Sequence, residues 1–168
     1  MTEYWDLYDK NCNKTGERIK RGDPIPEGSH NICVEIWVLN KKDEVLLTQR
    51  HPDKVGGLTW ECSGGGVQAG EGFLEAAQRE LGEETGIHVK KEEIHYLGTF
   101  VGNDWIMKTF IYFWEKEEYP CLKLQKEEVV DAKWVKVDKL TEMDRIFSKK
   151  VERFFEYYPE ILRLKTTK

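Results

Sequence analysis

Residues 65–87 read GGVQAGEGFLEAAQRELGEETGI, a glycine-led loop that runs into an acidic helix. From Gly72 to Thr85 the spacing predicts that helix, with Leu74, Ala77 and Leu81 on one apolar stripe and Gly86 as its C-terminal stop. Each position advances roughly 100° around a helix, so Glu84 lies about 40° to one side of Glu80 and Glu83 about 60° to the other. Three carboxylates therefore share one arc. Arg79 is expected to pair with Glu75 and Glu83 at four-residue spacing, whereas Glu80 and Glu84 have no opposite charge three or four residues away. Like charges at that spacing cost a few tenths of a kcal/mol. A solvated acidic face is one reading. The other starts from Ser63-Gly64-Gly65-Gly66 just upstream, where the backbone can approach another group without Cβ obstruction. Such a loop beside unpaired carboxylates suits a hard divalent cation that bridges protein oxygens to phosphate oxygens, as Mg²⁺ prefers.

The rest of the chain is nearly neutral. It has 168 residues, 31 acids and 26 bases, for a net charge of -5. Residues 71–86 hold five of the acids and one base, so four of the five excess charges sit on this one segment. A single domain over 1–168 is the expectation at this length. No basic excess exists to displace the counterions of a nucleic-acid backbone. The longest apolar run, Phe110 to Trp114, falls far short of the ~20 residues that span a bilayer, and the N-terminus has no signal-like apolar core. Four cysteines stand far apart without a CxxC pair, which suits reduced, cytoplasmic thiols. The four histidines offer no zinc-ligand spacing.

Outward from the helix, the pattern predicts an α/β layered domain. Residues 1–30 form a short hairpin and a connector, followed by strands at Ile32 to Leu39 and Glu44 to Arg50. A long loop is expected from His51 to Gly70, and loops of that length are usually functional. Beyond the helix, strands are expected near 94–102, 105–116 and 129–137, with Phe110 to Trp114 fully buried. A helical segment over 141–165 should break near Pro159.

The spacing Gly65, Glu71, then Arg79-Glu80-Leu81-Gly82-Glu83-Glu84-Thr85-Gly86-Ile87 resembles the Nudix box at every position over 65–87. Trp60 to Gly66 is similar to the lead-in of MutT-like members. The resemblance implies a Nudix fold, an α/β/α sandwich around a mixed β-sheet, and hydrolysis of a diphosphate linkage in a nucleoside diphosphate joined to another group. By position it implies Glu80, Glu83 and Glu84 as metal ligands, with the Gly64 carbonyl as a further one and Mg²⁺, or alternatively Mn²⁺, as the ion. Glu71 and Arg79 would brace the loop against the helix, with Gly65 and Gly86 as structural positions. Glu83 or Glu84 would handle the attacking water. Glu128, from a loop outside the box, is a second candidate for the base, against an exposed surface glutamate. Arg50 is a candidate phosphate contact, against a surface arginine.

A weaker resemblance covers about residues 5–60. Asp6-Leu7-Tyr8-Asp9, the Gly16 turn, Leu46 to Arg50 and Trp60 are similar to the isopentenyl-diphosphate isomerase branch. That branch has a Cys-containing segment followed by His-Pro before the box, and Cys62-Ser63-Gly64-Gly65-Gly66 lacks it. Cys62 is expected to pack as a small apolar residue. An isomerase and a non-catalytic Nudix-like binding module are the alternatives to a hydrolase. Trp105, beside Asn103 and Asp104 at an expected turn, is the candidate to stack on a planar group of a small-molecule diphosphate substrate, with Trp5 second. Trp37, Trp114 and Trp134 lie in strand patterns and are expected in the core. The N-terminal hairpin is a candidate element of a homodimer.

Overall fold

The computed structural model describes residues 2–167. Strands β1 (Tyr4–Tyr8) and β2 (Lys14–Lys20) form an N-terminal antiparallel hairpin. The main sheet has seven strands: β3 (Asn31–Asn40), β4 (Glu44–Arg50), β5 (Trp60–Glu61), β6 (Ser63–Gly66), β7 (Ile94–Val101), β8 (Trp105–Trp114) and β9 (Val129–Lys136). Its path runs β5-β4-β3-β8-β7, with β6 on β3 and β9 on β4. Among the described strands β3 and β8 pair in parallel, over ten residues from Asn31 opposite Trp105 to Asn40 opposite Trp114, and the other strand pairs are antiparallel, so the sheet is mixed. The helices are α1 (Phe73–Thr85), α2 (Ser148–Glu156) and α3 (Tyr158–Thr166).

The alternation of β3 explains the layers. Ile32, Val34, Ile36 and Val38 face α1 and pack in one cluster with Ala76, Ala77 and Leu81. Trp37 and Leu39 point the other way, into a second cluster with Val151, Phe154 and Ile161 of the C-terminal helices. Phe154 is fully buried with its ring 4.6 Å from that of Trp37. A period-2 strand with both faces apolar needs a cover on each side, and the chain supplies a helical layer on each. The result is an α/β/α sandwich.

Three expectations need correction. The stretch 51–70 is not one loop, because it carries β5 and β6. β6 pairs with β3 through glycines, which have no side chains to alternate, and β5 pairs with β4 over two residues, too short a stretch to show a period. Tyr112 and Trp114 are only half-buried, and Trp114 Nε1 reaches out to donate to the Glu118 carbonyl at 2.7 Å. The C-terminal segment is not one helix from 141 onward, because a 3₁₀ helix (Val137–Glu142) ends there and α2 begins only at Ser148. Trp60 N–H donates to the Arg145 carbonyl at 2.7 Å and Phe147 N–H to the Trp60 carbonyl at 2.9 Å, so residues 145–147 spend their backbone groups on β5. The break expected near Pro159 is present, at Tyr157, and Pro159 itself lies inside the first turn of α3, where its missing N–H costs nothing.

Candidate active site

The box loop and α1 meet at Arg79. Its Nε donates to Glu71 Oε1 at 2.7 Å and its Nη2 to Glu71 Oε2 at 2.9 Å, a bidentate fork. Nη2 also donates to the Gly66 carbonyl at 3.1 Å, and Nη1 reaches Glu80 at 2.7 Å and Glu83 at 3.2 Å. One guanidinium thus ties loop, strand β6 and helix together. This corrects two points of the helical reading. Glu80 does have a cationic partner, because Arg79 bends along the helix towards it. Glu75 does not pair with Arg79; it pairs with Lys91 at 2.6 Å and accepts the Gly72 N–H at 2.7 Å, closing the first turn of α1.

The glycines are there to let chains touch. A Cβ on Gly64 would lie 2.3 Å from the Val34 carbonyl oxygen, and one on Gly65 would lie 2.3 Å from Glu80 Oε1. A Cβ on Gly66 would strike the Trp5 ring at 2.8 Å, so the N-terminal hairpin seats directly on β6. At the other end of α1, Gly86 takes the left-handed φ of 75° and its N–H returns to the Gly82 carbonyl, which ends the helix.

These elements enclose a polar pocket of about 280 Å³. Glu80, Glu83, Glu84 and Gly64 line it, together with Arg50 and Glu128 from the facing strand and loop. Glu84 has one oxygen, Oε2, wholly enclosed and without a hydrogen-bond partner. Burial, with Glu80 alongside, pushes the Glu84 carboxyl up to about 8. Burial also raises Glu80, against the pull of Arg79. Glu83 is the more exposed carboxylate of the three. Glu128 pairs with Lys54, and its backbone carbonyl accepts the His51 N–H at 2.8 Å. Trp105 is not in this pocket. It opens β8, packs against Phe100 with ring centroids 5.4 Å apart, and lines a separate cavity. Trp5 donates to Glu3 at 3.1 Å.

Several site residues had no signal of their own. Glu61 lines the pocket, buried, and holds Arg50 Nη1 at 2.6 Å and Lys150 Nζ at 2.6 Å. Burial alone would raise the Glu61 carboxyl, but Lys150 and Arg50 outweigh it and hold it below its usual value. Lys150 is buried too. Burial would lower it, yet Glu61 holds its ammonium well above the ordinary range. In the sequence Lys149-Lys150 looks like a solvated helix face, and only the fold brings α2 to β5. Glu3 and Arg21, paired at 2.7 Å, come into the pocket wall from the N-terminal hairpin. Cys62 is fully buried, and burial raises its thiol well above the usual value, which disfavours the thiolate that a nucleophile needs.

Among the described residues no three acid, histidine or cysteine side chains are drawn together closely enough to hold an ion as they stand. The donor chemistry still fits a hard divalent cation. Carboxylates from Glu80, Glu83, Glu84 and Glu128 share the pocket wall with Arg21, Arg50 and Arg79, and the unpartnered Glu84 oxygen needs an electropositive neighbour to offset its burial.

Comparison with known proteins agrees with this geometry. The family model described as NUDIX domain matches residues 29–155. An uncharacterised Nudix hydrolase of Listeria monocytogenes is 32% identical over 146 residues, which span 82% of each chain. The NAD-capped RNA hydrolase NudC of Mannheimia succiniciproducens is 37% identical over 116 residues, 64% of this chain and 40% of that one. The fold is similar to the crystal structure of DR0079 from Deinococcus radiodurans, with a TM-score of 0.76 at 18% identity, over 93% of this chain and 99% of that one. It is also similar to the NUDIX domain of Shewanella oneidensis NrtR, solved with ADP ribose, with a TM-score of 0.65 at 20% identity over 79% and 88% of the two chains.

Proposed function

The chain belongs to the Nudix family of hydrolases, enzymes that cleave diphosphate linkages, and from that premise we propose that it uses a divalent cation, Mg²⁺ or Mn²⁺, to hydrolyse a nucleoside diphosphate joined to a second group. The observation that carries the proposal is that Glu80, Glu83 and Glu84 line one pocket with the glycines of β6, with one Glu84 oxygen enclosed and unpaired.

Glu80, Glu83, Glu84 and the Gly64 carbonyl would hold the cation. When bound it would neutralise phosphate charge and so lower the barrier to water attack on phosphorus. Arg79, locked on Glu71, keeps the loop and α1 in register, so that Glu80 stays against Gly65. Glu83, the most exposed of the three, is the carboxylate best placed to accept a proton from the attacking water. Glu128 stands across the pocket as the other base candidate, held by Lys54. Arg50, oriented by Glu61, offers its remaining guanidinium edge to a phosphate oxygen.

The test is a substrate panel with Mg²⁺: nucleotide sugars, dinucleotide polyphosphates, nucleoside triphosphates and isopentenyl diphosphate, followed by product analysis. Hydrolysis of at least one diphosphate is expected, and the Glu83→Gln/Glu84→Gln double variant should lose at least 10²-fold in rate. Undiminished turnover by that variant would refute the assignment. Isomerised isopentenyl diphosphate without phosphate release would replace the hydrolase by an isomerase, and binding without turnover of any compound would leave a binding module.

A further inference from the structure

We propose that Lys150 is a positioning residue for the diphosphate: by holding one oxygen of Glu61, it keeps the outer edge of Arg50 free for phosphate. That Arg50 meets phosphate at all rests on the hydrolase reading above.

Backbone bonds bring the three side chains together. Strand β5 is only Trp60–Glu61, and it pairs with β4 so that Glu61 lies opposite Thr48. The Trp60 carbonyl accepts the Phe147 N–H at 2.9 Å, and the Phe147 carbonyl accepts the Lys150 N–H at 3.0 Å at the start of α2. Lys150 is thereby delivered onto β5. Its Nζ donates to Glu61 Oε2 at 2.6 Å and to the Cys62 carbonyl at 3.3 Å. Arg50 takes the other oxygen, with Nη1 donating to Oε1 at 2.6 Å. Each oxygen of one carboxylate has its own cation.

Lys150 lines the cavity between α2 and β8, whereas Glu61 and Arg50 line the acidic pocket. Lys150 therefore reaches a ligand in that pocket only through Glu61. Both are enclosed, at 8% and 7% exposure, while the adjacent Lys149 stands in water. Anchoring α2 does not call for this pair, because well-packed apolar side chains hold two elements together as well as a buried ion pair or better. Both groups stay charged. Lys150 and Arg50 hold Glu61 below its usual value despite its burial, and Glu61 holds Lys150 above its own.

The geometry gives that charge a use. Arg50 Nε donates to the Val55 carbonyl at 3.0 Å, so the fork it has left for a carboxylate is the one between Nη1 and Nη2. A carboxylate with both oxygens free takes an arginine by two parallel bonds, the stronger geometry. Such a fork would consume Nη2, which has no partner among the described residues. Lys150 prevents it by drawing Oε2 to itself. Arg50 is then fixed by two bonds and still has an edge to give. Arg79 shows the opposite case. Forked on Glu71 and bonded to Gly66, Glu80 and Glu83, it spends all five of its N–H groups inside the protein.

The experiment measures binding of methylenediphosphonate, a diphosphate analogue with no bridging oxygen to cleave, in Mg²⁺ buffer by calorimetry. Arg50→Met should weaken binding about tenfold or more, as the loss of one charge-assisted hydrogen bond does, and Lys150→Met should cost about as much. In the Glu61→Gln background Lys150→Met should cost less than about twofold, because an amide has one acceptor oxygen and cannot form the fork. A general field of the lost cation, or a loosened α2, would weaken binding equally in both backgrounds, and that result overturns the proposal. So does full affinity in Lys150→Met, or wild-type protein that binds no diphosphonate or is indifferent to Arg50→Met. Should Lys150→Met fail to fold, Arg50→Lys carries the test. An ammonium lacks the second fixed edge, so the loss should match that of Arg50→Met, and unchanged affinity overturns the proposal. The expected pattern in a protein that cleaves no diphosphate keeps the role of Lys150 and rejects the hydrolase. Diphosphate cleavage without the pattern does the reverse.

Discussion

Glu84 concentrates the site's electrostatic cost in one side chain. Its enclosed Oε2 has no partner, and burial with the neighbouring Glu80 pushes its carboxyl up to about 8, from an ordinary 4.5. A group that binds its proton more tightly when folded loses that advantage as the proton leaves. Metal-free protein should therefore be most stable below about pH 4.5 as far as this group is concerned, and should lose stability as pH rises from there through about 8. The residue keeps some contact with solvent, so the loss is put at on the order of 2 kcal/mol rather than the full shift. Urea unfolding of chelator-treated protein across this range should show the decline, and Glu84→Gln should flatten it. Added Mg²⁺ should restore wild-type stability near pH 8 and leave Glu84→Gln almost unchanged; an equal gain in both would count against Glu84 as a ligand.

Among the elements, α1 was the most legible before any coordinates, and the reasons are physical. Its apolar stripe, its acidic arc and its terminal glycine are all local, and the structure starts it only one residue later than expected, with the same end. Gly86 needs its left-handed φ, and a Cβ there would also meet the Lys123 backbone at 3.1 Å. Gly86→Ala should cost about 1–3 kcal/mol in denaturant unfolding, because strain and contact add. The hairpin β1–β2 was foreseen as an element, whereas its docking was not. Asp6 is buried between Lys14 at 2.6 Å, Arg18 at 2.7 Å and the Gly70 N–H at 2.9 Å. Burial pushes its carboxyl up, but these three donors outweigh it and hold it at about 2, below the ordinary 3.8. Its contribution is thus full above pH 3.8 and is lost as pH falls through about 2. Asp6→Asn should cost about 1–2 kcal/mol at pH 7, discounted for the exposure of Lys14 and Arg18, and the gap from wild type should close near pH 2. Since Glu3 and Arg21 reach the acidic pocket from this hairpin, the variant should also raise KM.

At the scale of the whole molecule, the site depends on contacts between residues far apart in the chain, and these escaped sequence reading. Glu35 and Arg153 are 118 positions apart, and Cys62 and Lys150 are 88 apart. Nothing local marks Glu35, a single acid inside an apolar strand, as the anchor of a helix, and nothing marks Lys150 as buried. The box residues were legible because one contiguous loop and helix carries them. The walls that meet it, β4, β5 and the ends of the N-terminal hairpin, follow from tertiary packing alone. Glu35 accepts from Thr109 and twice from Arg153, so both its oxygens are bonded and the pair is buried on both sides. Removing one charge leaves the other enclosed and uncompensated, which typically costs about 3–5 kcal/mol, while removing both replaces an expensive desolvation by apolar packing. Arg153→Met and Glu35→Leu should each destabilise by about that amount, and the double variant by clearly less than their sum. A thermodynamic cycle from denaturant unfolding measures the coupling. Additive losses would mean that Arg153 is held by its aromatic neighbours Phe100 and Trp105 rather than by Glu35, and that α2 is fixed to the sheet by apolar contact alone.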